Sequence, residues 1–421
     1  MRLLAGWLER LLPSLQPVAE LRQTLASVAA RLHRIEGDLD TLRVRQSAYL
    51  GNGTALTWLA DDTPILVNAD DFGCPFNLLN GGRYEEDNVD VLLSFLRDDS
   101  VFLDIGANVG IHTLKVARRL GPAGRVHAFE PHPLLAELLF RNVHVNGLAR
   151  QVACHRVAAS DANGTARLQY PRGHLGGGQM GPQDRDYAGH TGLEAETRRL
   201  DDCLGEGFAC DLVKIDVEGH EAAVLRGMRE IVARSPAIKI LFEKLLPEMG
   251  TEAPLEAYFA ETGFVLYGVG PGAVLTPLAP GGLAAWGGYV LAARPGVVAD
   301  GLDRSRFAIH AGQLLLPYSR AVPAGPLRSR GSGGELLFHG PYWYLRRGAW
   351  RLDLVGEVSG AVSLAIQERF GHRVAEFLLA PGATSHVFTA DHDLLHFECA
   401  ARAAGAHAEI AVTRLEFSRQ A

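Results

Sequence analysis

The 421-residue chain has no run of about 18 uninterrupted apolar residues, so no membrane span is expected. A secretory leader is not expected either, because Glu9, Arg10 and Pro13 interrupt the apolar residues of MRLLAGWLERLLPSL. The five cysteines, Cys74, Cys154, Cys203, Cys210 and Cys399, are scattered without CxxC spacing. They signal neither a disulfide framework nor a zinc site, and a reducing cytoplasm is the expected compartment. Lysine is scarce, there is no Lys/Arg block, and the net charge is -7. Nucleic acid is therefore not expected as a partner, since phosphate binding needs clustered positive charge.

What is present is a globular composition, 47% hydrophobic and 21% charged, in a chain long enough for two or three domains. Residues 1–50 read as an amphipathic helix. Val18, Leu21, Leu25, Val28, Leu32, Ile35, Leu39 and Leu42 alternate spacings of three and four, a coiled-coil seam that predicts a homo-oligomer. The rival reading packs this helix on its own catalytic domain. A third lets Leu3, Leu4, Trp7, Leu11 and Leu12 make a weak peripheral contact at the inner face of the membrane.

Residues 51–100 read as short strands and a helix leading into 101–295, where strand-like runs alternate with helical patterns as in a doubly wound parallel α/β sheet. The expected strands are VFLDIG, RVHAFE, VACHRVAA, DLVKIDV, IKILFE, FVLYGV and GYVLAA, seven in all, with helices at 110–120, 133–146, 219–233 and 253–262. Residues 296–334 read as a linker and 335–421, with period-two alternation, as an all-β sandwich.

The densest chemical signal is VFLDIGANVGIHT. A strand ends in Asp104, and Gly106, Asn108 and Gly110 lead into a helix, which lets the backbone approach a nucleotide-like ligand closely. The spacing is GxNxG rather than GxGxxG. The Asp104 carboxylate would repel a phosphate and attract the sulfonium and amino groups of S-adenosylmethionine, which favours a methyl donor over a dinucleotide. Glu130, at the end of RVHAFE, is placed to accept from ribose hydroxyls. Ser160 and Asp161 end the third strand where adenine would rest; Asp161 is either an acceptor for the adenine amino group or a turn residue.

In DLVKIDVEGHE, Lys214, Asp216 and Glu218 alternate with apolar residues in a central strand, where charges are costly unless paired or serving a site. His220 follows at a helix start. Asp216 and His220 are both candidates to take a proton from an acceptor hydroxyl. Glu243, at the end of IKILFE, adds a carboxylate to the same rim, and the glycine-rich stretch 170–192 reads as a lid covering the acceptor.

Taken in order, GGRYEEDN, VFLDIGANVGIHT, FEPHP, the pair Asn142 and Asn146, TRRLDD, VKIDVEGHE and LFE make residues 80–293 resemble the FkbM family of methyltransferases. The resemblance implies a class I (Rossmann-like, seven-stranded) methyltransferase fold, S-adenosyl-L-methionine as donor, and O-methylation of a hydroxyl on a sugar, glycoconjugate or related natural product. It implies donor contacts by Asp104, Gly106, Asn108, Gly110 and Glu130, and an acceptor side around Lys214, Asp216 and Glu218; Glu243 and Tyr84 are the expected substrate contacts. A divalent metal such as magnesium is left open, with Asp216, Glu218 and Glu243 as the carboxylates to hold it. Near the start of the terminal region, Tyr342, Trp343, Tyr344 and Trp350 suggest either a glycan-stacking surface, as in carbohydrate-binding modules, or a core. The alternative function is a glycan-binding or scaffold protein on an inactive methyltransferase fold.

Overall fold

The computed structural model describes residues 47–181, 189–244, 252–296, 306–311, 314, 326–345, 348–368, 372–381, 384–391 and 394–420. The heptad seam at 18–42 and the apolar residues before it lie outside them. Among the described residues no helix is long and apolar enough to cross a membrane.

The chain enters through an antiparallel meander, β1 (Ala48–Gly51), β2 (Thr54–Trp58) and β3 (Pro64–Asn68). Ile65, Leu66 and Val67 of β3 are buried in the same core as the helix Pro133–Val145. That helix starts where Pro133 tolerates the missing N–H bond and His132 caps the Leu134 N–H. Its Asn142 amide is fully buried. It accepts from Leu66 N at 2.7 Å and donates to Leu66 O at 2.9 Å and Val109 O at 2.8 Å. Asn146 donates to Pro64 O. The two asparagines thus staple the lead-in strands to the body of the domain.

The central sheet contains β4 (Val101–Ile105), β5 (Arg125–Phe129), β6 (Val152–His155), β11 (Leu212–Ile215), β12 (Lys239–Lys244), β13 (Val265–Gly270), β14 (Val274–Pro277) and β15 (Gly288–Ala293). Its order is β14-β13-β15-β12-β11-β4-β5-β6. Strands β12, β11, β4, β5 and β6 run parallel, and β15 is antiparallel to both β12 and β13. This is a Rossmann-like α/β sheet, with one edge strand, β14, beyond the seven expected. Its inner strands are buried on both faces, which is why they read as continuous apolar runs.

The third expected strand, 152–159, divides. β6 stays in the central sheet, while β7 (Ala158–Ala159) pairs with β10 (His190–Arg198) in a second sheet of order β7-β10-β8-β9, where β8 is Gly164–Pro171 and β9 is Gln179–Gly181. Alternation in ARLQYP and LEAETR carries these strands, and the glycines between them masked the hairpin as a loop.

Among its described residues the terminal region is all-β, with eight strands hydrogen-bonded in one antiparallel sheet. Two long strands, Gly348–Glu368 and Leu394–Arg419, pair along their length and bend where register shifts at Gly356 and Gly360. At Gly360, φ is +76° and an added Cβ would lie 2.2 Å from His407 O, so only glycine allows the bend. Trp350, Leu352, Leu364 and Ile366 then share one core. One expectation is corrected, and one open alternative is decided. The stretch 296–334 is more than a linker, because Arg306–His310 and Leu327–Gly331 are strands of this sheet. Trp350 is 2% exposed and packs in the core rather than offering a stacking surface. The side chains of Tyr342, Trp343 and Tyr344 lie outside the description.

Candidate active site

Strand β4 pairs with β5 on one side and β11 on the other, so the strand order reverses at its carboxyl end. Ligands of open α/β sheets bind at such a point. Here it holds a cleft of about 970 Å³, open solvent included, lined among others by Gly106, Asn108, Glu130, Lys214, Asp216 and Glu218.

The glycine loop is built as its sequence requires. Gly106 has φ +77°, and a Cβ there would lie 1.8 Å from Asp216 O. Gly110 has φ +96° and opens the helix Ile111–Ala117. Asn108 takes the left-handed conformation that asparagine tolerates (φ +52°), and its N–H donates to Glu130 Oε2 at 2.8 Å. The other Glu130 oxygen accepts from His132 N at 2.8 Å. Burial pushes the Glu130 carboxyl up to about 7 despite these two bonds.

Asp104 is placed differently from expectation. It is wholly buried and absent from the cleft wall, accepts from the Thr113 hydroxyl, and lies 3.9 Å from the Lys214 ammonium. Position four of a five-residue strand turns it beneath the loop, so it anchors the loop rather than facing a donor.

Lys214 is the hub. Its ammonium donates to Gly106 O at 2.9 Å and lies 3.1 Å from Asp216 Oδ2. Burial alone would lower its pKa, but Asp216, Asp104 and Glu85 more than offset that and raise it. Asp216 also accepts from the Tyr289 hydroxyl at 2.8 Å. Burial raises its pKa, yet Lys214 and these bonds leave it below the usual value. The strand ends at Ile215, and a turn delivers Glu218 at φ +54°. The buried Glu221 closes this turn by accepting from Gly219 N and Val217 N. Burial, then Asp216 and Glu221, push Glu218 up to about 7, and burial with Asp216 pushes Glu243 up to about 9.

His220 also lines the cleft, with its Nε2 2.9 Å from Ser160 Oγ, and burial lowers its pKa. Asp161 is a turn residue: Arg226 donates two bonds to it, at 2.7 and 2.9 Å, and neither Ser160 nor Asp161 is in the cleft wall. Tyr84 lines the cleft, and burial raises its pKa. Sequence reasoning missed Tyr289, Glu85 and His112. The repeated acid in GGRYEEDN was the one available signal for Glu85.

The carboxylate oxygens of Asp216, Glu218 and Glu243 lie within 4.8 Å of one another. Their donor chemistry fits a hard cation such as magnesium, although Lys214 already supplies a positive charge at Asp216. Such an ion would be held by Glu218 and Glu243 and would add electrostatic stabilisation of the acceptor oxygen.

These protonation states predict an alkaline weakness. Folded Glu130, Glu218 and Glu243 hold protons more tightly than at the ordinary value of 4.5, so their contribution is lost as pH rises through about 7 and about 9. Buried His112, lowered to about 3, and His127, lowered to about 4, act oppositely but only below their ordinary 6.5. The Tm of the ligand-free protein should therefore fall between pH 6.5 and 9, and less steeply above pH 7 in Glu243→Gln. A flat calorimetric profile would show that the clustered carboxylates carry no such penalty.

A family profile described as a methyltransferase FkbM domain matches residues 104–266. "Methyltransferase sdnD" of Sordaria araneosa is 25% identical over 197 residues, covering 40% of this chain and 75% of that protein. "Hexuronic acid methyltransferase AglP" of Haloferax volcanii is 26% identical over 195 residues, covering 44% of this chain and 77% of that protein. Among solved structures, the O-methyltransferase TomG from Streptomyces achromogenes, in complex with SAM, is similar at 17% identity with a TM-score of 0.31, over 50% of this chain and 80% of that one. With the sheet order, the glycine loop and the profile in agreement, this chain is an S-adenosylmethionine-dependent methyltransferase that carries a match to the methyltransferase FkbM domain over residues 104–266.

Proposed function

We propose that the protein transfers the donor methyl group to a hydroxyl oxygen of a sugar, glycan, glycolipid or related natural product, and that Glu218 is the base. The observation that carries this reading is the difference among the proton acceptors in the cleft. Asp216 is held by Lys214 and Tyr289 and is a poor base. His220 is engaged with Ser160. Glu218 has no ion-pair partner among the described residues, lines the cleft, and sits at about 7, where general-base catalysis near neutrality is most effective.

The cleft aligns the acceptor oxygen behind the methyl carbon. As the new O–C bond forms and the S–C bond breaks, the hydroxyl proton passes to Glu218 and S-adenosylhomocysteine departs. The hexuronic acid named for the Haloferax relative supports a sugar-type acceptor. The intact glycine loop and Glu130 count against a retired scaffold.

The test incubates the protein with methyl-labelled donor and a panel of methyl glycosides, uronic acids and amino sugars, and locates the label by NMR. A methyl ether on oxygen is expected. Label on nitrogen or carbon, or donor binding without transfer to any member, would remove the sugar-hydroxyl assignment.

A further inference from the structure

The glycine-rich stretch was expected to cover the acceptor, and its described part lines the shared cleft beside the glycine loop. His174, Leu175, Gly176, Gly178 and Met180 line the cleft, and Gly176 approaches the donor loop so closely that a Cβ would lie 2.5 Å from Asn108 Nδ2. This segment is fastened to residues 71–73, just after β3. Asp71 is 4% exposed, and its two carboxylate oxygens accept from Gly73 N at 2.8 Å and Leu175 N at 3.1 Å. Phe72 N donates to Gly173 O at 2.9 Å.

The side chains interlock reciprocally. A Cβ on Gly173 would lie 2.4 Å from the Phe72 ring, and one on Gly73 would lie 2.3 Å from the His174 ring. Each aromatic ring thus sits over the other segment's glycine, with ring centroids 6.3 Å apart. Phe72 nevertheless remains 67% exposed, an apolar ring facing outward whose inner side covers the polar joint. A buried carboxylate shared between two segments, with small residues beneath paired rings, makes a joint that opens only by breaking charge-assisted bonds.

We propose that Asp71 is a positioning residue for the methyl donor: it latches segment 172–178 across the donor loop, so that S-adenosylmethionine enters and S-adenosylhomocysteine leaves only when the latch opens. This rests on the assignment of the donor to the Gly106–Gly110 loop. The glycines at 173 and 176–178 allow the segment to lie flat there. Asp71 and Phe72 do not line the cleft, so their effect on the donor runs through the segment they hold.

The experiment measures dissociation of S-adenosylhomocysteine from the full-length protein by stopped flow, with acceptor KM from steady state once an acceptor is in hand. Asp71→Ala is expected to speed release about tenfold, and Asp71→Asn by less, because its single oxygen keeps one of the two bonds. Phe72→Ala removes only an exposed ring, and is expected to speed release severalfold in a protein that folds normally. Unchanged release in Asp71→Asn and Phe72→Ala, with wild-type circular dichroism, would overturn the latch, as would a rise in acceptor KM alone. Failure of the wild-type protein to bind the product at all would overturn the donor assignment as well.

Discussion

Glu218→Gln is expected to lower kcat by about 10²- to 10⁴-fold, the usual contribution of a positioned general base, while donor affinity stays within about twofold. The amide preserves the size and the turn conformation but cannot take a proton. In the wild-type enzyme, activity should rise with pH through about 7 as the carboxyl ionises, and that limb should vanish in the variant. His220→Ala separates the alternatives: its ring binds Ser160, so its removal should disturb the cleft wall without removing the limb. Should the limb disappear with His220 and survive the loss of Glu218, the proton goes to the imidazole.

Lys214→Met is expected to destabilise the protein by about 3–5 kcal/mol, measured as a lower midpoint in urea unfolding. The methionine fills a similar volume, so the cost is electrostatic. Asp104 is fully buried and Asp216 largely so, and each would lose its ammonium neighbour while Gly106 O would lose its donor. Removing the partner charge should relieve part of the cost. The double variant Lys214→Met, Asp216→Leu should therefore fall short of the sum of the singles by about 0.5–3 kcal/mol. Strict additivity would mean that the two residues act independently and that Lys214 is not the hub.

The site was legible where its residues are contiguous. Gly106, Gly110 and Glu130 sit in two short stretches whose strand, turn and helix signals agree, and the central sheet followed from apolar runs of the right length. Three features were not legible. The orientation of Asp104 depends on which face of β4 the helix Ile111–Ala117 covers, and a carboxylate letter at a strand end is the same whether it faces a ligand or Thr113. Tyr289 reaches Asp216 from β15, 73 positions away, a pairing set by the antiparallel placement of that strand beside β12. The pairing of β8 with β10 was obscured because the connecting glycines carry the signature of a loop, while the partners that make it a sheet, from His190 and Pro171 to Thr197 and Gly164, lie far apart in the chain.

The Asn142 amide has a consequence for any attempt to transplant this catalytic module. It offers Leu66 the donor and acceptor that a neighbouring strand would offer, and with the same group holds Val109 of the glycine loop. The meander before residue 101 is thereby wired to the loop through one side chain. A graft cut at the first strand of the central sheet would leave a fully buried amide with two of its three bonds gone, directly beside the glycine loop. The transferable unit begins at the meander.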